Sequence, residues 1–311
     1  MTKPIKTVFR AAVSFSLLYY FLANIDISSM RSIFKSALNE YLFLSFLVIF
    51  CGFILSCHKW RMLLRADNIS CPFPILARYY LIGIYSNNFL PTSIGGDAFR
   101  MYLVSRYSGN SNVGIGSVVA ERLSGVFALM LLGLLGTCLV PSVFSGRGWV
   151  FFAGALAAVA LFLAIAEAAR FRIPADRLGN NVWAGKAIDV LGGIRRYFTT
   201  PATLWTMVWT SFAFQSLMVL AYFLAAKALS LQVPLPVMLA VVPLVTLLTL
   251  LPVSLNGLGL REGGFVLLLG EQGIPQVQAL SLSLAVFGLS LLFGLAGGVC
   301  LLFERGRAAR P

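Results

Sequence analysis

The chain has 311 residues, of which 59% are hydrophobic and 11% charged, with a formal net charge of +13. Soluble domains carry about 25% charged residues, so the composition excludes a soluble globular protein and identifies an integral membrane protein. The basic excess does not imply nucleic acid, because Lys and Arg gather in the cytoplasmic loops of multi-span proteins and favour anionic headgroups.

In chain order, Lys3, Lys6 and Arg10 accompany a first apolar run, residues 8–23. No clear A-x-A cleavage site follows, so an uncleaved first helix is expected. Residues 26–40 read as a short polar loop. A second span, 41–57, ends in HKWRMLLR, whose Lys59, Arg61 and Arg65 mark a cytoplasmic end and whose Trp60 suits the interface belt. The run 75–90 is too short to cross a core that needs about 20 residues, and it reads as the first half of a re-entrant hairpin, 75–107. A full span at 114–140 carries Glu121 and Arg122 inside its N-terminal half, and another is expected at 149–169. Residues 170–200 form a basic linker, either plain and cytoplasmic or partly lying along the membrane surface. A span at 204–226, a second hairpin at 237–270 and a last span at 277–303 complete the chain. The expected fold is all-α and polytopic: one membrane domain over 1–311, with six full spans and two hairpins, a first half over 1–169 and a second over 201–303.

The two hairpins share a pattern. Residues 90–100 read LPTSIGGDAFR, and 161 residues later 251–261 read LPVSLNGLGLR. The common pattern, L-P-x-S-x-x-G-x-x-x-R, aligns Pro91 with Pro252, Ser93 with Ser254, Gly96 with Gly257 and Arg100 with Arg261 without a gap. Proline lacks the N–H that a helix interior needs, so Pro91 and Pro252 are expected helix breaks. Short, interrupted apolar segments at corresponding places in two halves point to a transporter's binding site. Six spans and two hairpins put both termini in the cytoplasm. Of 24 basic residues, 17 then fall inside and four outside (Arg31, Lys35, Arg147, Lys227), the remaining three being Arg100, Arg122 and Arg261. This topology sends the hairpins in from opposite faces, as an inverted repeat.

Six charges lie in or beside membrane-embedded segments: Asp97, Arg100, Glu121, Arg122, Arg261 and Glu262. A charge at the bilayer centre costs roughly 2.5–3.5 kcal/mol, which pairing reduces. One reading is an ion-pair network that only joins helices. The other is a polar site for an anionic headgroup, since arginine's planar fork matches phosphate. Backbone N–H groups freed by Gly95 and Gly96, or by Gly257, Gly259, Gly263 and Gly264, would add donors at broken helix ends. Ser93 and Ser254 are expected at the headgroup beside Arg100, Arg122 and Arg261, and Asp97, Glu121 and Glu262 are their charge partners. Cys51, Cys57, Cys71, Cys138 and Cys300 form no C-x-x-C, and His58 is the sole histidine. A metal site, a disulfide framework and a Ser-His-Asp triad therefore have no support, and neither a cofactor nor an enzymatic reaction is expected.

NNFLPTSIGGDAFRMYL, VVAERLSG and LPVSLNGLGLREGGFVLLL together resemble the membrane domain of bacterial lysylphosphatidylglycerol synthases and the wider flippase-like UPF0104 family. The resemblance covers nearly the whole chain. It implies a multi-pass protein of the bacterial inner membrane that handles phospholipid or polyprenyl-phosphate-linked molecules. It places Gly95, Gly96, Asp97, Arg100, Glu121, Arg122, Gly257, Gly259, Arg261 and Glu262 on the family's motif positions. Asn256 stands where many relatives have glycine, and the synthases' large soluble domain has no counterpart here, so synthase activity is not expected. Two functions follow. One is a lipid translocase that takes a headgroup between the hairpins. The other is a non-transporting lipid-binding subunit that supports a partner membrane enzyme such as a glycosyltransferase. The partner in either case is a membrane lipid; the sequence is silent on oligomeric state.

Overall fold

The computed structural model describes residues 3–23, 25–89, 95–140, 194–251 and 253–308, with single helical positions at 157, 160, 164, 167 and 192. Every regular element among them is a helix: α1 (Lys3–Ala23), α2 (Ile27–Lys35), α3 (Asn39–Ala66), α4 (Phe73–Phe89), α5 (Gly95–Ser108), α6 (Ser111–Leu139), α7 (Pro201–Ala228), α8 (Leu235–Leu250), α9 (Leu260–Gly270) and α10 (Gln276–Ala308). Four of these, α3, α6, α7 and α10, are long and apolar enough to cross a membrane; the apolar parts of α1 and α8 are shorter. The expected span 149–169, apart from the helical positions 157, 160, 164 and 167, and most of the linker 170–200 lie outside the described residues. So do Pro91, Ser93 and Pro252.

The described boundaries depart from expectation in three places. Residues 26–40 are not simply a loop, because Asp26 caps α2 by accepting from the backbone N–H groups of Ser28 (2.9 Å) and Ser29 (3.2 Å). Hydrogen bonds from the Ser29 and Ser28 hydroxyls and amides hold its carboxyl down at about 2. The second span does not stop at Cys57; α3 continues to Ala66 and carries Lys59 and Trp60 inside the packed domain. The end of the linker is not free either. Residues 194–199 are helical and bury Ile194, Tyr197 and Phe198 against Leu63, Ala120 and Met207.

Hydrogen bonds at the helix ends define the topology. The Leu38 N–H donates to the Ala228 carbonyl (2.8 Å), so the start of α3 and the end of α7 share one end of the molecule. At the other end Arg196 donates to the Ala66 carbonyl (3.1 Å) and Tyr197 donates to Asp67. The antiparallel pair α3/α7 runs between these ends. The feet of the first hairpin, α4/α5, sit where α3 finishes: Tyr107 donates to the Ser70 carbonyl (3.1 Å), and Arg78 pairs with Glu304 at the end of α10 (3.4 Å). The second hairpin, α8/α9, starts where α7 finishes and returns to the start of α10, at the opposite end. The hairpins therefore enter from opposite sides.

Packing repeats with the same inversion. The half-helix α4 leans on α10, and its counterpart α8 leans on α6, so each hairpin is supported by the long helix of the other half. In a membrane such contacts depend on close backbone approach rather than on hydrophobic driving force. Both crossings use a glycine of the long helix: a Cβ on Gly297 would overlap the Leu81 carbonyl, and one on Gly136 would overlap the Ala240 backbone.

The motif glycines have separate reasons. Gly96 lets α5 close on α4, since a Cβ there would overlap the Gly83 carbonyl oxygen. Gly257 has φ +75° and faces Thr249, a conformation that L-residues resist. Gly96→Ala and Gly257→Ala are expected to lower stability by about 1–3 kcal/mol through overpacking and strain. Gly288→Ala, with nothing within 4 Å, should leave the melting temperature in detergent unchanged or raise it. Equal melting temperatures for all three would remove the mechanical role assigned to the motif.

Candidate functional site

Among the described residues two buried charge clusters form, one on each hairpin. In the first, α3, α4, α5 and α6 converge. Arg100 is 4% exposed, with its guanidinium carbon 4.2 Å from the Trp60 ring centroid and 4.1 Å from that of Tyr80. A desolvated cation held between aromatic faces gains about 2 kcal/mol or more. Glu121 is the hub: Arg100 binds its Oε2, Lys59 Nζ lies 3.8 Å from Oε1, and the Tyr80 hydroxyl donates to Oε1 (3.3 Å). Lys59 also donates to Ser211 on α7 (3.1 Å), which donates to Ser124 (2.9 Å).

Asp97 is held mainly by Arg122, whose Nε and Nη2 grip it at 2.7 and 2.8 Å, while Arg100 stands 3.6 Å from it. The motif neighbours Asp97 and Arg100 are thus joined through α6 rather than principally to each other. Half of the Arg122 side chain, 49%, remains exposed.

The second cluster is smaller. Glu262, fully buried, accepts from Arg261 Nη2 (2.6 Å) and Nε (3.0 Å), and its other oxygen caps α9 by accepting from the Gly259 N–H (2.7 Å). Arg261 also donates to Ser283 (3.2 Å) and lies over the Phe287 ring at 4.3 Å.

One cavity of about 360 Å³ connects the clusters. Lys59, Arg100, Glu121, Arg122 and Arg261 all line it. Asn88, at the end of α4, and Asn256, in the turn before α9, line it too, and the Asn256 amide donates to Asn88 (2.8 Å), joining the tips of the opposed hairpins.

The structure brings Arg100, Arg122, Arg261 and Glu121 to the cavity and sets Asp97 and Glu262 behind them. It does not bring the motif glycines there. The Gly96 N–H donates to the Asn87 side chain (2.9 Å) and the Gly259 N–H to Glu262, so these donors serve the hairpins themselves rather than a ligand. Gly95 starts α5, and Ser254 is buried outside the lining, its hydroxyl without a partner among the described residues. The C-terminal ends of α4 and α8 reach the cavity through Asn88 and Leu250, and Arg261 enters it from the first turn of α9.

Lys59, Trp60 and Tyr80 escaped the sequence reading. Lys59 and Trp60, expected at the interface, are 4% and 0% exposed. The signal that would have found them is the spacing of Ser45, Ile49, Gly52, Ser56, Lys59 and Leu63, one continuous buried face of α3.

Comparison with known proteins finds relatives that are membrane proteins. A UPF0104 membrane protein of Methanothermobacter thermautotrophicus is 24% identical over 261 residues, covering 75% of this chain and 74% of its own. A UPF0104 membrane protein of Methanocaldococcus jannaschii is 23% identical over 138 residues, 43% of this chain and 41% of that protein. The family described as "Lysylphosphatidylglycerol synthase TM region" matches residues 7–298. Because that match spans nearly all of its length, the chain belongs to the lysylphosphatidylglycerol synthase transmembrane-region family.

Proposed function

We propose that the protein binds the anionic head of a membrane lipid in the cavity between its hairpins and passes it between the leaflets, without covalent chemistry. The observation that carries this is the meeting of Arg100 and Arg261, from hairpins entering at opposite ends, on the wall of a single cavity. An inverted pair of half-hairpins around a central site is the arrangement that alternating access uses. Arginine suits a phosphate because its fork donates in a plane. The lipid is an anionic phospholipid or a polyprenyl-phosphate-linked molecule.

The test is leaflet-resolved labelling of such lipids in proteoliposomes. Accelerated exchange of headgroups over protein-free vesicles supports the translocase. Saturable binding with no exchange supports instead a subunit that holds lipid for a partner enzyme such as a glycosyltransferase.

Orientation follows from charge. Arg61, Arg65, Arg78, Arg106, Arg195 and Arg196 gather at the end where α3 finishes, against Arg31, Lys35 and Lys227 at the other. That end belongs in the cytoplasm of the bacterial cell, and it includes the C-terminal end of α10. With the five native cysteines replaced, a cysteine at Ser36 is expected to react with an impermeant thiol reagent on intact cells, and one at Thr199 only after permeabilisation. The reverse pattern would invert the orientation.

A further inference from the structure

Residues 25–38, between α1 and α3, carry one carboxylate, Asp26, and two cations, Arg31 and Lys35. Asp26 is spent inside the segment. Besides the two backbone N–H groups it caps, it accepts from the hydroxyls of Ser28 (2.8 Å) and Ser29 (2.7 Å). That cap supports α2, whose nine residues make a helix too short to persist alone in water. The helix sorts its side chains by kind. Ile33 packs on the apolar core beside α10. About a quarter turn away stand Ile27, Met30 and Phe34, with Ile27 69% and Phe34 40% exposed. About another quarter turn on come Arg31 and Lys35, both exposed, and Ser28, Ser29 and Ser32 complete the circle.

The height of α2 is fixed as well. It joins the end of α1 to the start of α3, where the Leu38 N–H meets the Ala228 carbonyl at the end of α7. Both α3 and α7 are long and apolar enough to cross a membrane, so their shared end lies at a membrane surface, and α2 lies there with it. None of its residues lines the central cavity.

We propose that α2 is a docking surface for the anionic lipid headgroups of the leaflet at this end, which in the orientation above is the outer one. With Ile33 against the protein, the row of Ile27, Met30 and Phe34 turns down into the boundary between headgroups and acyl chains. Arg31 and Lys35 then lie on the side away from the protein, at headgroup height, and the serines face water. A division into apolar, basic and polar faces is what holds a helix in the plane of an interface. Long basic side chains reach lipid phosphates from there while their stems stay on apolar surface. Each gains roughly fivefold in affinity beside a negatively charged leaflet, and Asp26 has no oxygen left to compete for them. A soluble protein is the poorer occupant, because three apolar side chains fall well short of the area of about 800 Å² per partner that a stable protein interface buries.

The experiment places a bimane fluorophore on a single cysteine, Phe34→Cys or Ser32→Cys, with the five native cysteines replaced. The full chain is reconstituted in nanodiscs. The label at Phe34 is expected to emit at shorter wavelength than the label at Ser32, and to be quenched by lipid that carries a nitroxide near the top of its acyl chain. A small fraction of nitroxide-labelled phosphatidylserine in phosphatidylcholine should quench it about fivefold or more above the same fraction of nitroxide-labelled phosphatidylcholine. Arg31→Gln with Lys35→Gln should bring that ratio close to one while quenching by the neutral lipid persists. Water-like emission from both labels, with no quenching by lipid, overturns the docking and leaves this face to a soluble partner. Equal quenching by the two lipids in the parent chain, or a ratio unmoved by the double substitution, overturns the preference for anionic headgroups. Neither readout involves lipid exchange or the cavity, so the translocase reading is tested separately.

Discussion

Glu121→Ala is expected to lower stability by about 3–5 kcal/mol, the range for removing one partner of a buried charge cluster. The argument lies in what the carboxylate holds. Arg100 and Lys59, each 4% exposed, both rely on it, and so does the Tyr80 hydroxyl. Those groups sit on α3, α4 and α5, so the loss loosens the contact of the whole first hairpin with α6. Glu121→Gln keeps the acceptor oxygen and should cost less. Glu40→Ala, exposed in the first turn of α3, should change stability by no more than about 0.5 kcal/mol. Thermal unfolding in detergent measures all three. A melting temperature for Glu121→Ala equal to that of Glu40→Ala would show that the hub carries no weight.

Arg261→Lys is expected to weaken lipid binding roughly 10- to 100-fold while the fold survives. The charge stays, but the planar fork is lost, and a charge-assisted hydrogen bond contributes about 1.5–3 kcal/mol. Glu262 remains within reach of a lysine ammonium, and the side chain of Arg261 is 14% exposed rather than sealed. Arg100→Lys should behave differently and lose stability together with binding, because the guanidinium packs into the corner made by the Trp60 and Tyr80 rings and holds Glu121 from there. Lipid binding and melting temperature, read on the same preparations, separate the cases. Wild-type binding by Arg261→Lys, or full binding by the pair Arg261→Gln with Glu262→Gln, would reduce Arg261 to half of a structural ion pair.

Much of the fold was legible in the sequence because the hairpins are marked by length and by repetition. The expected limits 75–107 and 237–270 stand within two residues of the described 73–108 and 235–270. The embedded charges were legible too, since an arginine inside an apolar run has few innocent explanations. Their pairing was not. Asp97, Glu121 and Glu262 were named as charge partners without being assigned, and the third dimension gives Asp97 mainly to Arg122 and Arg100 mainly to Glu121. Lys59 was misplaced because hydropathy falls away after Cys57, and the eye ends the span there. The helix does not end until Ala66, and the face that began with Ser45 carries the lysine inward. The glycines were read as donors to a ligand, but a donor's partner depends on side chains from elsewhere in the chain, here Asn87 and Glu262.

The exchange of supports between the halves has a consequence for how the protein is made. The first hairpin leaves the ribosome long before its buttress, since α10 begins roughly 190 residues after α4 ends. At about 5–20 residues per second, α4 waits on the order of ten to forty seconds with its glycine-matched face against lipid. Arg100 need not wait with it, because Glu121 follows within the next helix and can neutralise the arginine at once. The second hairpin has no such delay, as α6 is already in place when α8 arrives. The two halves are alike in form, but the membrane receives them in one order, and only the earlier one must be kept competent by its own charges until the last helix is threaded.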